Sequence, residues 1–460
     1  MSNLNGAVNI IEPSPPPIIL TIPDEILLRI LNLLPYSHQV ESFVKCSGND
    51  QRCLVSQVLI LRHVCRHFRC ISAELDFWSE PHFQFRQLLP DFEDSEGIEW
   101  MEESSILRHE QRFLKVLLSD AALVNCMGRR KAEWMFTTLE ELQIVIQAIP
   151  LFKQNARVIH LEFMEYINLL HSGTSADPLQ TAIEILSACS CITTLSIHSP
   201  RSVDLTAIAS SFPHLEWFTC SETPGFHGSL HQLTRLQTLS IDTCEYRPLR
   251  GHSRATTVRP SWLPLQSTET LTQLSLMCDT LVIPFFHAMS QLSPDQFINL
   301  KLLNVSPLCS PIVTFILRSQ CRLEVFMADL VRHLAPIATV TAMFQAECLR
   351  NLKEFAASNS YDEDYKLSAT ERYWSLFFDA FTFMLPSIEK VYLEVPLHIA
   401  GSSCFSRMTK LKVLDWDGSP YPYLGDAKDG ENPKEKVISA LESAFSGFVE
   451  KPVFTVDFIG

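Results

Sequence analysis

The residues best suited to binding a metal ion lie in one short segment near the N-terminus: His63, Cys65, His67 and Cys70. On a helix, His63, His67 and Cys70 would share one face, and imidazole and thiolate groups are common zinc ligands. One helix presents three such ligands poorly for tetrahedral coordination, and no Cys-x-x-Cys partner lies nearby. We therefore interpret these residues as polar side chains beside an apolar helix face and expect no metal site.

The sequence does not identify a nucleophile and a base that could act as a catalytic pair. The chain has 14 cysteines and 15 histidines, and a nucleophilic cysteine needs a base held beside it. Cys189 and Cys191 would share a face on a strand, where we expect them to pack as small hydrophobic residues. The sequence contains no Gly-x-Ser-x-Gly elbow, His-Glu-x-x-His helix or Gly-Lys-Ser/Thr loop. We expect no enzyme, no catalytic residue and no cofactor.

Positive charge is concentrated in one segment, at Arg247, Arg250, Arg254 and Arg259, in a chain with a net charge of −15. Arginine binds carboxylates and phosphates through paired hydrogen bonds, so these residues are candidates for binding an acidic or phosphorylated client segment. The alternative is a solvated insertion with no ligand. The acidic chain as a whole is not suited to general binding of nucleic acid.

The composition indicates a folded protein inside the cell. Hydrophobic residues make up 46% of the chain and charged residues 19%, which is typical of a globular protein with a sizeable core. No apolar stretch approaches the ~20 residues that span a bilayer, and the proline-rich start lacks the order of a signal peptide. Scattered cysteines in a long chain indicate reduced thiols. We therefore expect a cytoplasmic or nuclear location and no membrane contact.

A short amphipathic helix is predicted after the proline-rich start. Thr21 can cap it, Pro23 suits its first turn, and Asp24 and Glu25 complement the positive helix end. Its apolar face consists of Ile26, Leu27, Ile30, Leu31 and Leu34. A second helical pattern contains Leu61, Val64, Cys65, Phe68 and Ile71, and Phe77 and Trp78 follow it.

The segment 22–31, together with 64–68 and 75–78, resembles the F-box motif, and the match covers about 60 residues. The resemblance implies a three-helix module that binds a Skp-type adaptor and, through it, the cullin and RING subunits of an SCF ubiquitin ligase. The adaptor-binding residues that it implies are Ile22, Pro23, Ile26, Leu27, Ile30, Leu31, Leu34, Val64 and Trp78. The segment between Pro35 and Leu61 is longer than the corresponding part of most F-boxes.

A pattern of the form L-x-x-L-x-L, tolerant of other apolar residues, recurs from about Val158 onward and resembles the leucine-rich repeat. Successive candidates are roughly 21–36 residues apart. The ten candidates are Val158/Leu161/Phe163, Ile192/Leu195/Ile197, Leu215/Phe218/Cys220, Leu236/Leu239/Ile241, Leu271/Leu274/Leu276, Leu300/Leu303/Val305, Leu323/Phe326/Ala328, Leu352/Phe355/Ala357, Ile388/Val391/Leu393 and Leu411/Leu414/Trp416.

Each unit is expected to form a short strand and a return segment, often helical, such as residues 374–384. One unit cannot bury its apolar side chains alone, so stacked units would share a continuous core. The alternative is an ordinary α/β domain in which strands alternate with helices. No glycine-rich phosphate loop follows any of the predicted strands, which disfavours a nucleotide-binding sheet.

The predicted fold class is a multidomain α+β protein, with an N-terminal three-helix F-box module followed by an irregular leucine-rich-repeat-like α/β solenoid. Its parts are a disordered proline-rich tail (1–18), an F-box-like domain (19–82), an acidic linker with a helical connector or cap (83–150), and the repeat domain (151–460). These parts suggest a substrate receptor of an SCF-type ligase. The alternatives are a scaffold that binds the adaptor without promoting ubiquitination, and an enzyme on an α/β sheet.

Overall fold

The computed structural model describes residues 23–32, 68, 121–130, 132–136, 138–163, 177–199, 201–223, 225–242, 268–277, 285–287, 296–330, 336–358, 367–395, 399–418 and 433–458. The chain divides into two compact units. The first contains Met1–Trp134 and Gln143–Asn155, and the second contains Met135–Leu142 and Ala156–Gly460. Among the described residues, no helix has both the length and the apolar character needed to cross a membrane.

The first described element of the first unit is the predicted amphipathic helix, α1 (Asp24–Asn32). The carbonyl of Pro23 accepts hydrogen bonds from the N–H groups of Ile26 and Leu27, both at 3.0 Å. The proline therefore stands just before the helix rather than inside it. Thr21, the predicted cap, and Leu34, the predicted last apolar residue, lie outside the described residues.

Helix α2 (Ala121–Arg130) and the short helix α4 (Phe152–Asn155) pack together in the same unit. Gly128 lets α2 lie close to the segment just before α4, because a Cβ atom there would lie 2.9 Å from Ile149 Cγ2. The ring of Trp134 meets that of Phe152 edge-on at 5.2 Å, and both side chains are buried. Strand β1 (Glu133–Phe136) and helix α3 (Leu139–Ala148) each have residues in both units.

The second unit is a mixed α/β structure built on a large parallel sheet. Its strands are β2 (Val158–Glu162), β3 (Thr194–His198), β5 (Trp217–Ser221), β7 (Thr238–Asp242), β8 (Gln273–Met277), β9 (Leu302–Ser306), β10 (Val325–Asp329), β11 (Glu354–Ser358), β12 (Lys390–Glu394), β13 (Val413–Gly418) and β14 (Val453–Phe458). With β1 at one edge the sheet has 12 strands, and their order in space follows the chain. Every neighbouring pair from β2 to β14 is parallel.

Helices connect many of these strands: α5 (Pro178–Leu186), α6 (Leu205–Ser211), α7 (Ser310–Arg318), α8 (Ile337–Met343), α9 (Leu367–Met384), α10 (Ile399–Cys404) and α11 (Pro433–Ala444). Capping fixes where the first two begin. The Asp177 carboxylate accepts from the N–H of Leu179 at 3.0 Å, and Asp204 accepts from Thr206 and Ala207. From α7 to α11, each helix contacts the next one along the chain.

A small two-stranded parallel sheet joins β4 (Val203–Asp204) to β6 (Phe226–His227). Gly228 follows it with a φ of +85°, a conformation that favours glycine. A Cβ atom there would lie 2.8 Å from Asp204 Oδ1 and would also overlap Thr206 Oγ1. The glycine therefore lets the chain pass directly beside the cap of α6.

In nine of the ten predicted units, the predicted apolar residues coincide with a strand of the sheet in the expected register. Leu195 aligns with Phe218, Phe218 with Leu239, and the same alignment continues through Leu274, Leu303, Phe326, Phe355, Val391 and Leu414. All these side chains are buried. The central apolar residue of each unit therefore stacks directly on that of the next.

The predicted register of the first unit was wrong by two residues. Ile159 aligns with Leu195 and Leu161 with Ile197, so the equivalent unit is Ala156, Ile159 and Leu161 rather than Val158, Leu161 and Phe163. Ala156, Ile159 and Leu161 are all buried, whereas Val158 lies on the half-exposed side of the strand. The pairing with β3 fixes the register, because Phe163 is also buried and lies on the same side of the chain as Ile159 and Leu161.

Aromatic side chains fill the core around α9, which contains the predicted return segment. Phe355 and Phe381 have ring centroids 4.6 Å apart, and Phe377 stacks on Phe381 at 5.8 Å. Helix α10 packs closely against α9 at Gly401, where a Cβ atom would lie 2.5 Å from the ring of Phe378. This packing holds the β11–β13 part of the sheet to its helices.

Candidate binding face of the parallel sheet

One face of the parallel sheet is buried and the other is partly open. From β2 to β13, the second and fourth residues of each strand are buried. The first, third and fifth residues are half-buried or exposed, apart from Thr238 and Asp329. We call this second set of side chains the open face. Ten parallel strands thus present a continuous surface, because the order of the strands follows the chain.

The middle row of the open face carries small polar side chains from β3 to β9: Ser196, Thr219, Ser240, Ser275 and Asn304. Asn304 Nδ2 donates to Ser275 Oγ at 3.1 Å. Trp217, 46% exposed, donates from its indole nitrogen to Thr219 Oγ1 at 3.0 Å. Hydroxyl and amide groups next to an exposed aromatic ring can hydrogen-bond and pack against an extended polypeptide.

Four residues near the carboxyl ends of β2, β3, β5 and β7 form what we call the Asp242 cluster: Glu162, His198, Glu222 and Asp242. His198 lies between a hydroxyl and a carboxylate, with Nδ1 3.0 Å from Ser221 Oγ and Nε2 2.9 Å from Glu222 Oε2. Glu222 has a φ of +57°, in the left-handed region. Residues held there against their backbone preference often occur at functional sites.

The carboxyl group of Asp242 lies in an unfavourable place for negative charge. Burial raises the pKa of Asp242 above its usual range, the charge of Glu222 raises it further, and His198 acts in the opposite direction. A cation brought to this cluster would offset both effects. The cluster therefore favours a positively charged ligand over a negatively charged one.

A second group, the Tyr392 cluster, consists of Tyr392 and Glu394 on β12 and Asp415 and Asp417 on β13. Tyr392 aligns with Asp415 in the register of the two strands. The buried Oδ1 atom of Asp417 has no hydrogen-bond partner among the described residues. Three carboxylates beside a phenol ring suit an ammonium or guanidinium group, which can pair with the acids and pack on the ring.

The charge of the open face is strongly one-sided. Lys390 is the one lysine or arginine at its positions, and its ammonium group lies 3.5 Å from Glu354 Oε2. Acidic residues occupy seven of them: Glu162, Asp242, Asp329, Glu354, Glu394, Asp415 and Asp417. The face therefore attracts cations and repels phosphates.

The opposite edge of the sheet, where the strands begin, carries charges of both signs in alternation: Lys301, Glu324, Lys353, Glu389 and Lys412. We call this row the lysine–glutamate ladder. Glu324 lies 3.4 Å from Lys301 and 2.6 Å from Lys353, and Glu389 lies 2.7 Å from Lys412. The hydrogen bond from Lys353 lowers the pKa of Glu324, and that from Lys412 lowers the pKa of Glu389. These charges neutralise one another.

A groove of about 900 Å³ lies at the same edge, near β12 and the C-terminal end of α11. Its lining includes Lys410, Lys412, Lys451, Glu389 and Glu450. The charges have both signs, and the ladder already pairs Lys412 with Glu389. The charges of this groove therefore favour neither a cationic nor an anionic ligand.

The predicted adaptor-binding residues fall on α1 or outside the described residues. Ile26 and Ile30 are 51% and 46% exposed, and Pro23 is also exposed, whereas Leu27 is buried at 3% exposure. Leu31 belongs to α1 as well. Helix α1 thus combines one buried apolar anchor with an exposed apolar pair. The other predicted adaptor residues, Ile22, Leu34, Val64 and Trp78, are outside the described residues.

The predicted client-binding arginines, Arg247, Arg250, Arg254 and Arg259, also lie outside the described residues, as do His63, Cys65, His67 and Cys70. Within the described part of the chain, no group of three or more histidine, cysteine, aspartate or glutamate residues is placed to hold a metal ion. Sequence reasoning did not identify the individual residues of the open face. The sequence signal for these residues lies at the first, third and fifth positions of the strands, where acidic residues are frequent and arginine is absent.

The cysteines that sequence reasoning considered are not arranged as a pair on a strand. Cys189 and Cys191 lie in the turn region between α5 and β3, where Cys189 is buried and Cys191 half-buried. Cys220 lies on the buried side of β5, and burial raises the pKa of its thiol far above the usual value. A buried neutral thiol of this kind packs as a small apolar group.

No protein-family model matches the sequence, and no curated protein matches it either.

Proposed function

We propose that this chain is the substrate-recognition subunit of an SCF-type ubiquitin ligase. In this proposal an N-terminal F-box module binds a Skp-type adaptor, and a leucine-rich-repeat-like solenoid binds a client protein. The observation that carries the receptor part is the open face, a continuous surface of ten strands whose apolar core lies entirely on the other side. The chain would supply binding, and the partner subunits would supply the transfer chemistry.

The strand order supports the repeat interpretation over an ordinary α/β domain. In a nucleotide-binding doubly wound sheet, the strand order reverses near the middle, and the ligand binds at that reversal. Here the order runs from β1 to β14 without reversing. Equivalent apolar residues stack from strand to strand, as they do when each repeat contacts only its neighbours.

The exposed pair on α1 supports the adaptor-binding half. Ile26 and Ile30 are one helical turn apart, so they form one apolar strip on the helix surface. Leu27, by contrast, is buried. An amphipathic helix with exposed apolar residues is a common way to fill a hydrophobic groove on a partner. The resemblance of 22–31 to the F-box names that partner as a Skp-type adaptor.

The adaptor contact is tested by co-expressing the full chain with a Skp-type adaptor and measuring the amount that co-purifies. Replacing Ile26→Asp and Ile30→Asp together should reduce binding by at least tenfold, because two apolar contacts are lost. The matched control is Leu317→Asp with Leu376→Asp, since these leucines on α7 and α9 are 48% and 44% exposed. Failure of the adaptor to co-purify with the unaltered chain, or equal losses in both variants, would overturn the proposal.

A second measurement distinguishes a receptor from a scaffold. The complex of this chain with adaptor, cullin and RING subunits is supplied with ubiquitin and with proteins that co-purify through the second unit. A receptor should transfer ubiquitin to at least one of them, and Ile26→Asp with Ile30→Asp should abolish that transfer. Unmodified partners in an assembled complex would contradict the receptor role and favour a scaffold.

A further inference from the structure

The two acidic clusters lie on the same face, a definite distance apart. The Asp242 cluster ends on β7 and the Tyr392 cluster begins on β12, which is five strand spacings further along the sheet. At about 4.8 Å per spacing, this separation is about 24 Å. Extended polypeptide covers that distance with about seven residues. A single short segment of chain is therefore long enough to contact both clusters.

Between the clusters, the open face has little charge and mostly small side chains. The middle row there runs through Ser275, Asn304, Met327 and Ala356. Asp329 is buried and accepts a hydrogen bond from Ser306 Oγ at 3.1 Å, so it is part of the sheet's own bonding. An extended chain could cross this region without meeting bulky or charged obstacles.

Charge decides what kind of segment suits the face. The acids Glu162, Glu394 and Asp415 form no ion pair with a lysine or arginine in the described part of the chain. A phosphorylated or acidic segment would add negative charge beside them, whereas a basic segment would pair with them. Polypeptide is favoured over an isolated small cation because Trp217 and the polar row from β3 to β9 offer further contacts beside the Asp242 cluster and part of the way towards the Tyr392 cluster.

We propose that the open face binds an extended polypeptide segment with two groups of lysine or arginine side chains about seven residues apart, one at the Asp242 cluster and one at the Tyr392 cluster. This proposal rests on the receptor function above and specifies the chemistry of its client. It differs from the expectation that an arginine cluster grips an acidic or phosphorylated client. At the Tyr392 cluster, an arginine or lysine would pair with Asp415 and Glu394 and pack on the ring of Tyr392.

The test uses the full chain without the adaptor and a fluorescent peptide with two Arg-Lys pairs about seven residues apart, separated by glycine and serine. Fluorescence anisotropy gives its dissociation constant. Three comparison probes are a peptide in which glutamate replaces the basic residues, a phosphoserine peptide of equal length, and a single-stranded oligonucleotide. The basic peptide should bind at least tenfold more tightly than each of them, and its affinity should fall as salt is raised. Equal or tighter binding of any comparison probe would overturn the proposal.

Variants locate the binding. Asp415→Asn with Glu394→Gln should weaken the basic peptide at least tenfold, because charge-assisted hydrogen bonds become neutral ones. Glu162→Gln with Asp242→Asn should do the same at the other cluster. The matched control is Glu324→Gln with Glu389→Gln, which removes the same two charges from the lysine–glutamate ladder and should change affinity less than twofold. Equal weakening in the control would mean that only the overall charge matters and would contradict a defined site.

The spacing of the basic pairs in the peptide gives a further control, which does not require any variant of the protein to fold. Bringing the two basic pairs together, with the same composition and charge, should weaken binding about as much as losing one cluster. Unchanged affinity would overturn the two-cluster arrangement. Because this assay contains no adaptor, its failure beside a positive adaptor co-purification would reject the basic client alone. Peptide binding without adaptor binding would reject the ligase role instead.

Discussion

The two edges of the parallel sheet carry their charges in different arrangements. Where the strands begin, Lys353 lies 2.6 Å from Glu324 and Lys412 lies 2.7 Å from Glu389. Where the strands end, Asp242 and Glu394 are flanked by further carboxylates and by no lysine or arginine of the open face. Charges of both signs in alternation neutralise one another, whereas charges of one sign favour an outside partner of the opposite sign. The charges at the amino ends of the strands are therefore neutralised within the sheet, whereas the carboxyl ends form the binding edge that we propose.

The largest effect is expected from removing the core beneath the binding edge. Trp416 lies between Asp415 and Asp417 on β13, is fully buried, and donates from Nε1 to the carbonyl of Val395 at 3.0 Å. Trp416→Ala should lower the free energy of unfolding by about 3–5 kcal/mol, since it leaves a large cavity and an unpaired carbonyl. Urea denaturation followed by circular dichroism measures this loss.

The control for that variant is Trp217→Ala, which removes the same side chain from the open face, where it is partly exposed. Its cost should be below about 1 kcal/mol, while it should weaken binding of the basic peptide. A similar loss of stability in both variants would mean that the open face is packed like a core, and the distinction between the two faces of the sheet would fail.

An intermediate effect is expected at Gly228, which follows the small β4–β6 sheet near the loop of Glu222. Its φ of +85° and its closeness to Asp204 leave no space for a side chain. Gly228→Ala should cost about 1–3 kcal/mol. It should also weaken peptide binding at the Asp242 cluster while leaving the Tyr392 cluster intact.

Gly447→Ala is the matched control, because no atom lies within 4 Å of its Cβ position. Its stability should stay within about 0.5 kcal/mol of the unaltered protein. Thermal unfolding of both variants, together with anisotropy titrations, checks the pair. A neutral Gly228→Ala would show that the loop relaxes freely and does not position Glu222.

The strands could be predicted from the sequence because the same short apolar pattern returns at each of them. The register of the first unit was harder to predict. The small Ala156 gives a weak apolar signal, and Phe163 stands where the last apolar residue of a unit shifted by two residues would be. Strand β14 was not predicted at all. Its residues Phe454 and Val456 lack the leucine pattern, and their pairing depends on β13 as a neighbour.

The candidate site could not be predicted, because it depends on register between distant parts of the chain. Glu162, His198 and Asp242 are far apart in sequence and lie along the same side of the sheet only when β2, β3, β5 and β7 align. Each acid alone is typical of a solvated strand position. Only the alignment of the strands shows that these acids lie on one side of the sheet, whereas the lysines of the ladder pair with glutamates at the other edge.

The smallest expected effects are the changes in stability when one acidic charge is removed from each edge, and these changes should have opposite signs. The pKa of Asp242 is raised, so its ionisation opposes folding once the pH exceeds the unfolded value of about 3.9. Asp242→Asn should therefore stabilise the protein slightly at pH 7, by less than about 1 kcal/mol because the group is partly exposed. The gain should disappear as the pH is lowered and the carboxyl group of the unaltered protein takes up its proton.

Glu324 should behave in the opposite way. Its pKa is lowered by Lys353 and Lys301, so its pairing contributes stability above the unfolded value of about 4.3, which is lost as the pH falls through the folded pKa. Glu324→Gln should lower the unfolding temperature slightly at pH 7 and have no effect in strong acid. Thermal unfolding of both variants at several pH values measures the two signs. If both variants changed the unfolding temperature in the same direction at pH 7, the charge of Asp242 would be neutralised within the protein as fully as that of Glu324. The carboxyl edge would then not favour binding of a cation from outside.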